Sequence, residues 1–417
     1  MNNSLVKALA HLRGNPRACV YTEPLWGLSM NLCLPYASVY MLALGMDDTQ
    51  VGFIATVYML SQVAFAFFSG PITDKMGRRK TTAIFDFIAW SIPCLIWWRA
   101  ENFWFFLVAA IFNGTMKVTT NSWDCLLVED AEKSQITKIY SLVIVCGQLS
   151  AFFAPLSSIM VSRLTLIPAI RILYINAFAV MTAKEIILYL ASRETKTGVV
   201  RLRETKGKTI FQLAGGYGGV LKIIAHSRGT VFSLVITALV GAVGMINTTF
   251  WQVIVSKKLL VPDPLLPLFP VLKSVTAIAF LFLVAPHLTK GLLKAPLLIG
   301  FACYFIGQTL LILTPVEGVK YVMLCASLVF DGFGFGILAM LAESLVALHV
   351  NAAERARVMA IQHMIIMAAT APFGWIGGAL SDISRNLPFI LNLCLLAAGF
   401  LITFCYYLKN SRLPSEV

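Results

Sequence analysis

Asn113, Lys117, Thr120, Asn121 and Asp124 stand at i, i+4, i+7, i+8 and i+11 of one otherwise apolar stretch, so a helix there carries a single polar stripe with an ammonium group at its middle. A second ammonium, Lys273, interrupts a later apolar stretch, and a carboxylate, Asp331, interrupts a third beside Gly332, Gly334 and Gly336. Inside a bilayer each such charge costs at least about 2.5 to 3.5 kcal/mol and asks for a partner or a purpose. Two readings stay open. In one, Lys117 and Lys273 bind the negative part of a small molecule, with Asn113 and Asn121 adding amide hydrogen bonds. In the other, Lys117 pairs with Asp124 and Lys273 with Asp331 as internal ion pairs.

A second group suits proton coupling, which needs a carboxyl or imidazole that changes protonation as its surroundings change. Glu23 is the first choice, because Pro24 disturbs the helix beside it; Asp124, Asp331, Glu343 and His363 complete the coupling set. Interfacial capping for Glu23, scaffold roles for Asp124 and Glu343, and a histidine satisfied by a neighbouring helix are the plainer alternatives. Asn31 and Tyr36, then Asn247 and Trp251, supply amide and aromatic groups suited to an adaptable pocket, or interface anchors. No nucleophile-base set, phosphate loop or metal-ligand spacing accompanies them, so neither an enzyme nor a resident metal or cofactor is expected.

The elements that must position these residues are membrane helices. Of 417 residues 58% are hydrophobic and 13% charged, against about 25% charged in soluble domains. Apolar runs long enough to cross a bilayer predict twelve spans at about 18–43, 49–70, 81–99, 102–125, 138–161, 166–191, 229–254, 264–286, 294–314, 319–345, 357–380 and 387–408. They are numbered 1 to 12 below. The first is too long to be a cleavable signal, and Glu23-Pro24 interrupts it.

Lysines and arginines divide unevenly between the two sides of these spans, 23 on the side of the termini against 6 on the other, which places both termini in the cytoplasm. The net charge of +13 is thus topogenic and attracts anionic headgroups rather than nucleic acid. The nine cysteines, nearly all within spans, read as small packing residues.

The chain repeats itself. Asn113-Gly114 recurs as Asp331-Gly332, Ala154-Pro155 as Ala371-Pro372, Lys138 as Arg357 and Asp124 as Glu343, all at one near-constant offset. The expected organisation is an N-terminal six-helix half, 1–192, a cytoplasmic linker, 193–228, and a C-terminal six-helix half, 229–417. Within the linker Ile210, Leu213, Val220, Leu221 and Ile224 fall at helical spacing, predicting an amphipathic segment along the membrane that Gly215, Gly216, Gly218 and Gly219 weaken.

After span 2 the sequence reads Gly70-Pro-Ile-Thr-Asp74-Lys75-Met-Gly77-Arg78-Arg79-Lys80. Gly70 suits close helix approach and Gly77 a sharp turn, while Asp74 pairs with the basic residues or faces a helix N-terminus. This pattern resembles the cytoplasmic signature loop of the major facilitator superfamily, departing from it at Ile72 and Lys75. The second copy, His287-Leu-Thr-Lys290-Gly291-Leu-Leu-Lys294, has lost the Asp. The resemblance implies an all-α membrane transporter of twelve helices in two pseudo-symmetric halves, working by alternating access with substrate between the halves, and makes Gly70, Asp74, Gly77, Arg78 and Arg79 gate residues.

The embedded lysines favour proton-coupled uptake or exchange of an anionic or zwitterionic metabolite. Ala110, where drug antiporters of that family carry Arg, and Ala154-Pro155-Leu156-Ser157-Ser158, where they carry Gly-Pro and paired Gly, speak against drug or amphiphile efflux. A lipid flippase or a receptor-like homologue without transport is the third reading. The expected partners are a small-molecule substrate, a proton and membrane lipids, with the chain a monomer in the plasma membrane.

Overall fold

The computed structural model describes residues 9, 11–132, 135–213, 228–283, 294–349 and 355–410, and all regular structure among them is helical. Eleven helices are long and apolar enough to cross a bilayer: Asp48–Met76, Arg78–Arg99, Phe103–Val128, Ile136–Leu164, Leu166–Ala191, Gly229–Lys258, Asp263–Phe280, Lys294–Leu313, Lys320–Leu341, Ile361–Ile383 and Leu387–Leu408. These are spans 2 to 12. Span 1 is the helical segment Gly14–Cys33, Leu34–Tyr36 and Ala37–Ala43, less apolar because it carries Asn15, Arg17, Glu23 and Asn31. Its helix runs through Pro24 without a break; the interruption is a 3-10 turn at Leu34–Tyr36, around Pro35.

The chain forms two compact units, one of Met1–Met46 and Val57–Gly216, the other of Asp47–Thr56 and Tyr217–Val417. Within the first, span 1 packs on spans 4, 5 and 6, and span 3 on spans 4 and 6. Within the second, span 7 packs on spans 10, 11 and 12, and span 9 on spans 10 and 12, the same pairings one repeat later. Glycines set the closeness in both. A methyl group added at Gly114 of span 4 would strike Ser61 of span 2, and one at Gly332 of span 10 would come 2.7 Å from Thr276 of span 8. A hydrophobic core of the second unit gathers Ile236, Val243, Leu297, Phe301, Leu338 and Leu396.

Two spans contain a π-helical turn, Phe87–Ser91 in span 3 and Ile254–Lys258 at the end of span 7. Pro93 follows the first and cannot donate to the carbonyl of Ala89; the Asn113 side chain takes that orphan instead at 2.7 Å. In the linker the structure forms Lys196–Glu204 and the short turn Ile210–Leu213; the rest of the expected amphipathic segment and the repeated loop before Lys294 lie outside the described residues.

The signature stretch is hardly a loop. Helix continues from Asp48 to Met76 and resumes at Arg78, so the whole turn is Gly77, at φ 84° and ψ 155°. Only glycine adopts that region without strain, and a side chain there would also meet Glu194, whose Oε2 lies 2.6 Å from a built Cβ. The expected close approach at Gly70 is not found among the described residues, none of which comes within 4 Å of a Cβ built there. Gly77→Ala should therefore destabilise the protein by about 1 to 3 kcal/mol. Gly70→Ala should leave the detergent-solubilised melting temperature where it was, and equal melting of both variants and parent would refute the assignment.

Candidate functional site

Around Gly77 the first unit builds a charged junction. Arg78, only 4% exposed, donates from Nη1 to Asp74 Oδ1 at 2.8 Å and from Nε and Nη2 to Glu129 at 3.0 to 3.1 Å. Such a fork is strong and geometrically demanding, and lysine would not reproduce it. Thr195 donates to the same Glu129 carboxylate. Glu194 accepts from the backbone N–H of Arg78 at 2.8 Å and of Arg79 at 3.2 Å, so it is Glu194, and not Asp74, that sits against a helix N-terminus. Arg79 reaches the Tyr189 carbonyl at 2.6 and 2.9 Å with its guanidinium 4.0 Å from the Tyr189 ring centre. Of the gate set, Asp74, Gly77, Arg78 and Arg79 thus come together, tied to the ends of spans 4 and 6, while Gly70 stays apart.

Deeper in the same unit Lys184 and Asp86 form a buried ion pair, both side chains 3% exposed. Glu185 lies beside them, accepting from Ser91 at 3.4 Å through one oxygen. Asn113 serves the Ala89 carbonyl, and Asn121 donates to Thr73 Oγ1 at 3.1 Å. Lys117, half-buried between these two amides on span 4, has no ion pair or hydrogen bond among the described residues, so the alternative Lys117–Asp124 pair is not formed. Glu23 and Asp124 are half-buried and likewise make no hydrogen bond or ion pair with a described residue. Asn31 is spent on its own helix, donating to the Gly27 carbonyl at 2.7 Å, and Tyr36 is fully buried rather than an interface anchor.

The second unit contains a polar ladder through four spans. Asn247 of span 7 donates to the Tyr304 hydroxyl of span 9 at 2.8 Å; Asn392 of span 12 donates to Gln308 of span 9 at 2.9 Å; Gln308 donates to Asp331 Oδ2 of span 10 at 2.7 Å. Gln308 and Asn392 are completely buried and Asp331 is 8% exposed, with its Oδ1 lacking any hydrogen-bond partner among the described residues. Lys273 is exposed on span 8 and forms no ion pair with Asp331. Trp251 is buried against the Phe269 ring, centroids 5.1 Å apart, with its indole N–H unpartnered among the described residues. His363 is exposed on span 11, and the Glu343 side chain lies outside the described residues.

At the start of span 2, Asp48 pairs with Arg385 and accepts from Ser381, while Asp382 accepts from the backbone of Asp48 at 3.0 Å and of Thr49 at 2.9 Å. Sequence reasoning missed this cluster, as it missed Glu129, Glu194, Gln308 and Asn392. For the last two a signal existed: a lone amide in an apolar span needs a partner for the same reason a charge does.

The Asp86–Lys184 pair gives a quantitative check. Asp86→Asn leaves a buried ammonium without its counter-charge and should cost about 3 to 5 kcal/mol, whereas Asp86→Leu combined with Lys184→Met should recover most of it. Equal stability of Asp86→Asn and parent in a detergent unfolding titration would show that the pair is not formed.

Comparison with known proteins bears on the family and the fold. The sequence matches the family model described as Major Facilitator Superfamily over residues 25–289. No curated protein matches the sequence. The fold is similar to a point mutant of the nucleoside transporter NupG, at TM-score 0.75 and 12% identity over 94% of this chain and 99% of that one. It is similar to a POT family transporter in complex with 5-aminolevulinic acid, at TM-score 0.73 and 13% identity over 96% of each chain. It is also similar to the human organic anion transporter MFSD10, at TM-score 0.62 and 14% identity over 93% of this chain and 98% of that one. With eleven helices among the described residues long and apolar enough to cross a bilayer and a family model covering more than half its length, the chain belongs to the Major Facilitator Superfamily and is a multi-pass membrane transporter.

Proposed function

We propose that the protein is a proton-coupled transporter that takes up or exchanges a small anionic or zwitterionic metabolite. It is oriented with both termini in the cytoplasm of a plasma membrane, works as a monomer, and is organised as halves 1–192 and 229–417 joined by the linker 193–228. The observation that carries the reading is that neither Lys117 nor Lys273 has a carboxylate within 4.0 Å among the described residues, while the same fold pairs Lys184 closely. An embedded ammonium left open invites an anionic ligand group. Asn113 and Asn121 flank Lys117 on one stripe, and Asn247 and Trp251 are the amide and aromatic groups of span 7. Among the structural neighbours, one is an organic anion transporter and another was crystallised with 5-aminolevulinic acid, both compatible with this substrate class. The junction at Asp74, Gly77, Arg78 and Arg79 acts in this reading as the gate on the basic side.

Purified protein screened for thermal stabilisation by carboxylates, phosphate esters and amino-acid derivatives should yield anionic hits. A charge-assisted hydrogen bond contributes about 1.5 to 3 kcal/mol, so Lys117→Gln and Lys273→Gln should each weaken the best hit about tenfold or more at unchanged melting temperature of the unliganded protein. Hits that bind both variants as they bind the parent would defeat the anion reading.

For coupling, Glu23 and Asp331 are the carboxylates we assign, the first half-buried without a partner among the described residues, the second buried with one oxygen open. Asp124, Glu343 and His363 stand behind them. In vesicles a protonophore should abolish accumulation. Glu23→Gln and Asp331→Asn should each keep downhill exchange yet lose concentrative uptake, since an amide mimics the protonated carboxyl and cannot cycle. Full concentrative uptake by both variants would remove proton carriage from these residues.

A further inference from the structure

The polar ladder of the second unit takes its direction from one group. A carboxylate only accepts hydrogen bonds, so ionised Asp331 requires the Gln308 amide to turn its nitrogen toward it, as it does at 2.7 Å. The Gln308 oxygen then faces Asn392, which must present nitrogen in its turn, at 2.9 Å. The same Asn392 nitrogen lies 3.4 Å from the Asn247 oxygen, which leaves the Asn247 nitrogen to the Tyr304 hydroxyl at 2.8 Å. One carboxylate thus fixes which end every amide shows.

The ladder is built around that carboxylate and held away from water. A methyl group on Gly307 would strike Asp331 Oδ1, so span 9 lacks a side chain where Asp331 lies. Gln308 and Asn392 are completely buried and Tyr304 is 2% exposed. Asn392 Oδ1 has no hydrogen-bond partner among the described residues. With that amide reversed, its nitrogen would be the open end instead. The amides therefore leave one end unpaired in either polarity, and the charge state of Asp331 decides between the two. Spans 7, 8 and 9 pack on span 10. The ionisable groups whose charges act on Asp331 are Lys273 of span 8, which makes no ion pair with it, and the Tyr304 phenol of span 9. Span 7 has no ionisable residue between Gly229 and Val253.

We infer that the ladder is a polarity relay, in which a proton reaching Asp331 Oδ2 turns the amides of Gln308, Asn392 and Asn247 end for end. The new O–H donates to the Gln308 oxygen, and the Gln308 nitrogen donates to Asn392 Oδ1. The Asn247 nitrogen donates to that same oxygen, and the Tyr304 hydroxyl turns from acceptor to donor toward Asn247. The only covalent change is the O–H bond formed on Asp331 with the incoming proton. Oδ2 is the site because a buried carboxyl proton needs an acceptor and the Gln308 amide stands in reach, whereas Oδ1 has no partner among the described residues. Gln308 and Asn392 are therefore positioning residues. They carry the protonation state of span 10 to Asn247 on span 7, an amide of the pocket expected from the sequence. The relay rests on the proton-carrying role proposed above for Asp331 and adds its route to span 7.

The test uses the full-length protein in lipid nanodiscs with 3-fluorotyrosine in place of Tyr304 alone, read by fluorine NMR while pH is varied over the range in which the protein stays folded. Infrared difference spectra over the same range follow the Asp331 carboxyl band, identified by its loss in Asp331→Asn. The fluorine resonance should shift in step with that band. In Asn392→Leu, which leaves Asp331 and Gln308 in place, the shift should be lost while the carboxyl band still titrates. A shift that survives in folded Asn392→Leu is the direct field of Asp331 and overturns the relay. In the unaltered chain, infrared bands that move on isotopic labelling of asparagine and glutamine side-chain amides should appear in the same titration, and their absence overturns the relay whether or not any variant folds. A carboxyl band that titrates without the fluorine shift defeats the relay and leaves proton carriage standing; the lack of any titrating Asp331 band defeats both.

Discussion

A polar group in hydrocarbon has no water to fall back on, and most of the internal chemistry of this protein follows from that one constraint. Pro93 deprives the Ala89 carbonyl of its helical donor, and Asn113 reaches across from span 4 to supply one. Lys184 could not lie 3% exposed without Asp86. Gln308, Asn392, Asn247 and Tyr304 hold one another through spans 7, 9 and 12. Each bond ties two helices that apolar packing alone would let slide, because lipid tails compete equally for apolar surface. Polar pairing thus fixes register, and glycine sets distance.

The two units solve the same packing problem with different chemistry. Asn113 and Asp331 are repeat-related, and each reaches from the fourth helix of its unit to the third: Asn113 to the Ala89 carbonyl, Asp331 to Gln308, beside Gly307. In the first unit the residue closes a gap left by a proline. In the second it is a carboxylate with one oxygen over. At corresponding positions, one unit thus carries a neutral amide and the other an ionisable group.

Much of this was legible in the sequence, and what was not has a physical reason. Hydropathy located the spans because bilayer thickness dictates helix length, and Gly77 could be read as a turn because its backbone region excludes side chains. The motif was misread as a loop because Gly70 to Met76 contains Pro71, tolerated here inside the helix. Charges were flagged and amides were not, so Lys117 and Asp331 entered the reading while Gln308 and Asn392 did not. Glu129 and Glu194 lie 51 and 116 residues from Arg78, and no local pattern links them to it. Pairing across such distances is a property of the fold.

The contrast among the embedded lysines carries the argument furthest. Lys184 shows that this fold can bury an ammonium and neutralise it, so the cost of an intramembrane charge is not simply tolerated here. Lys117 has Asp124 on its own helix, two turns away, and no described side chain of the unit closes the gap. Lys273 has Asp331 in its own unit, and the carboxylate is turned instead to Gln308. Neither cation has a carboxylate within ion-pair distance among the described residues, so each keeps its hydrogen-bonding capacity, and the anion-binding role proposed for them rests on that capacity.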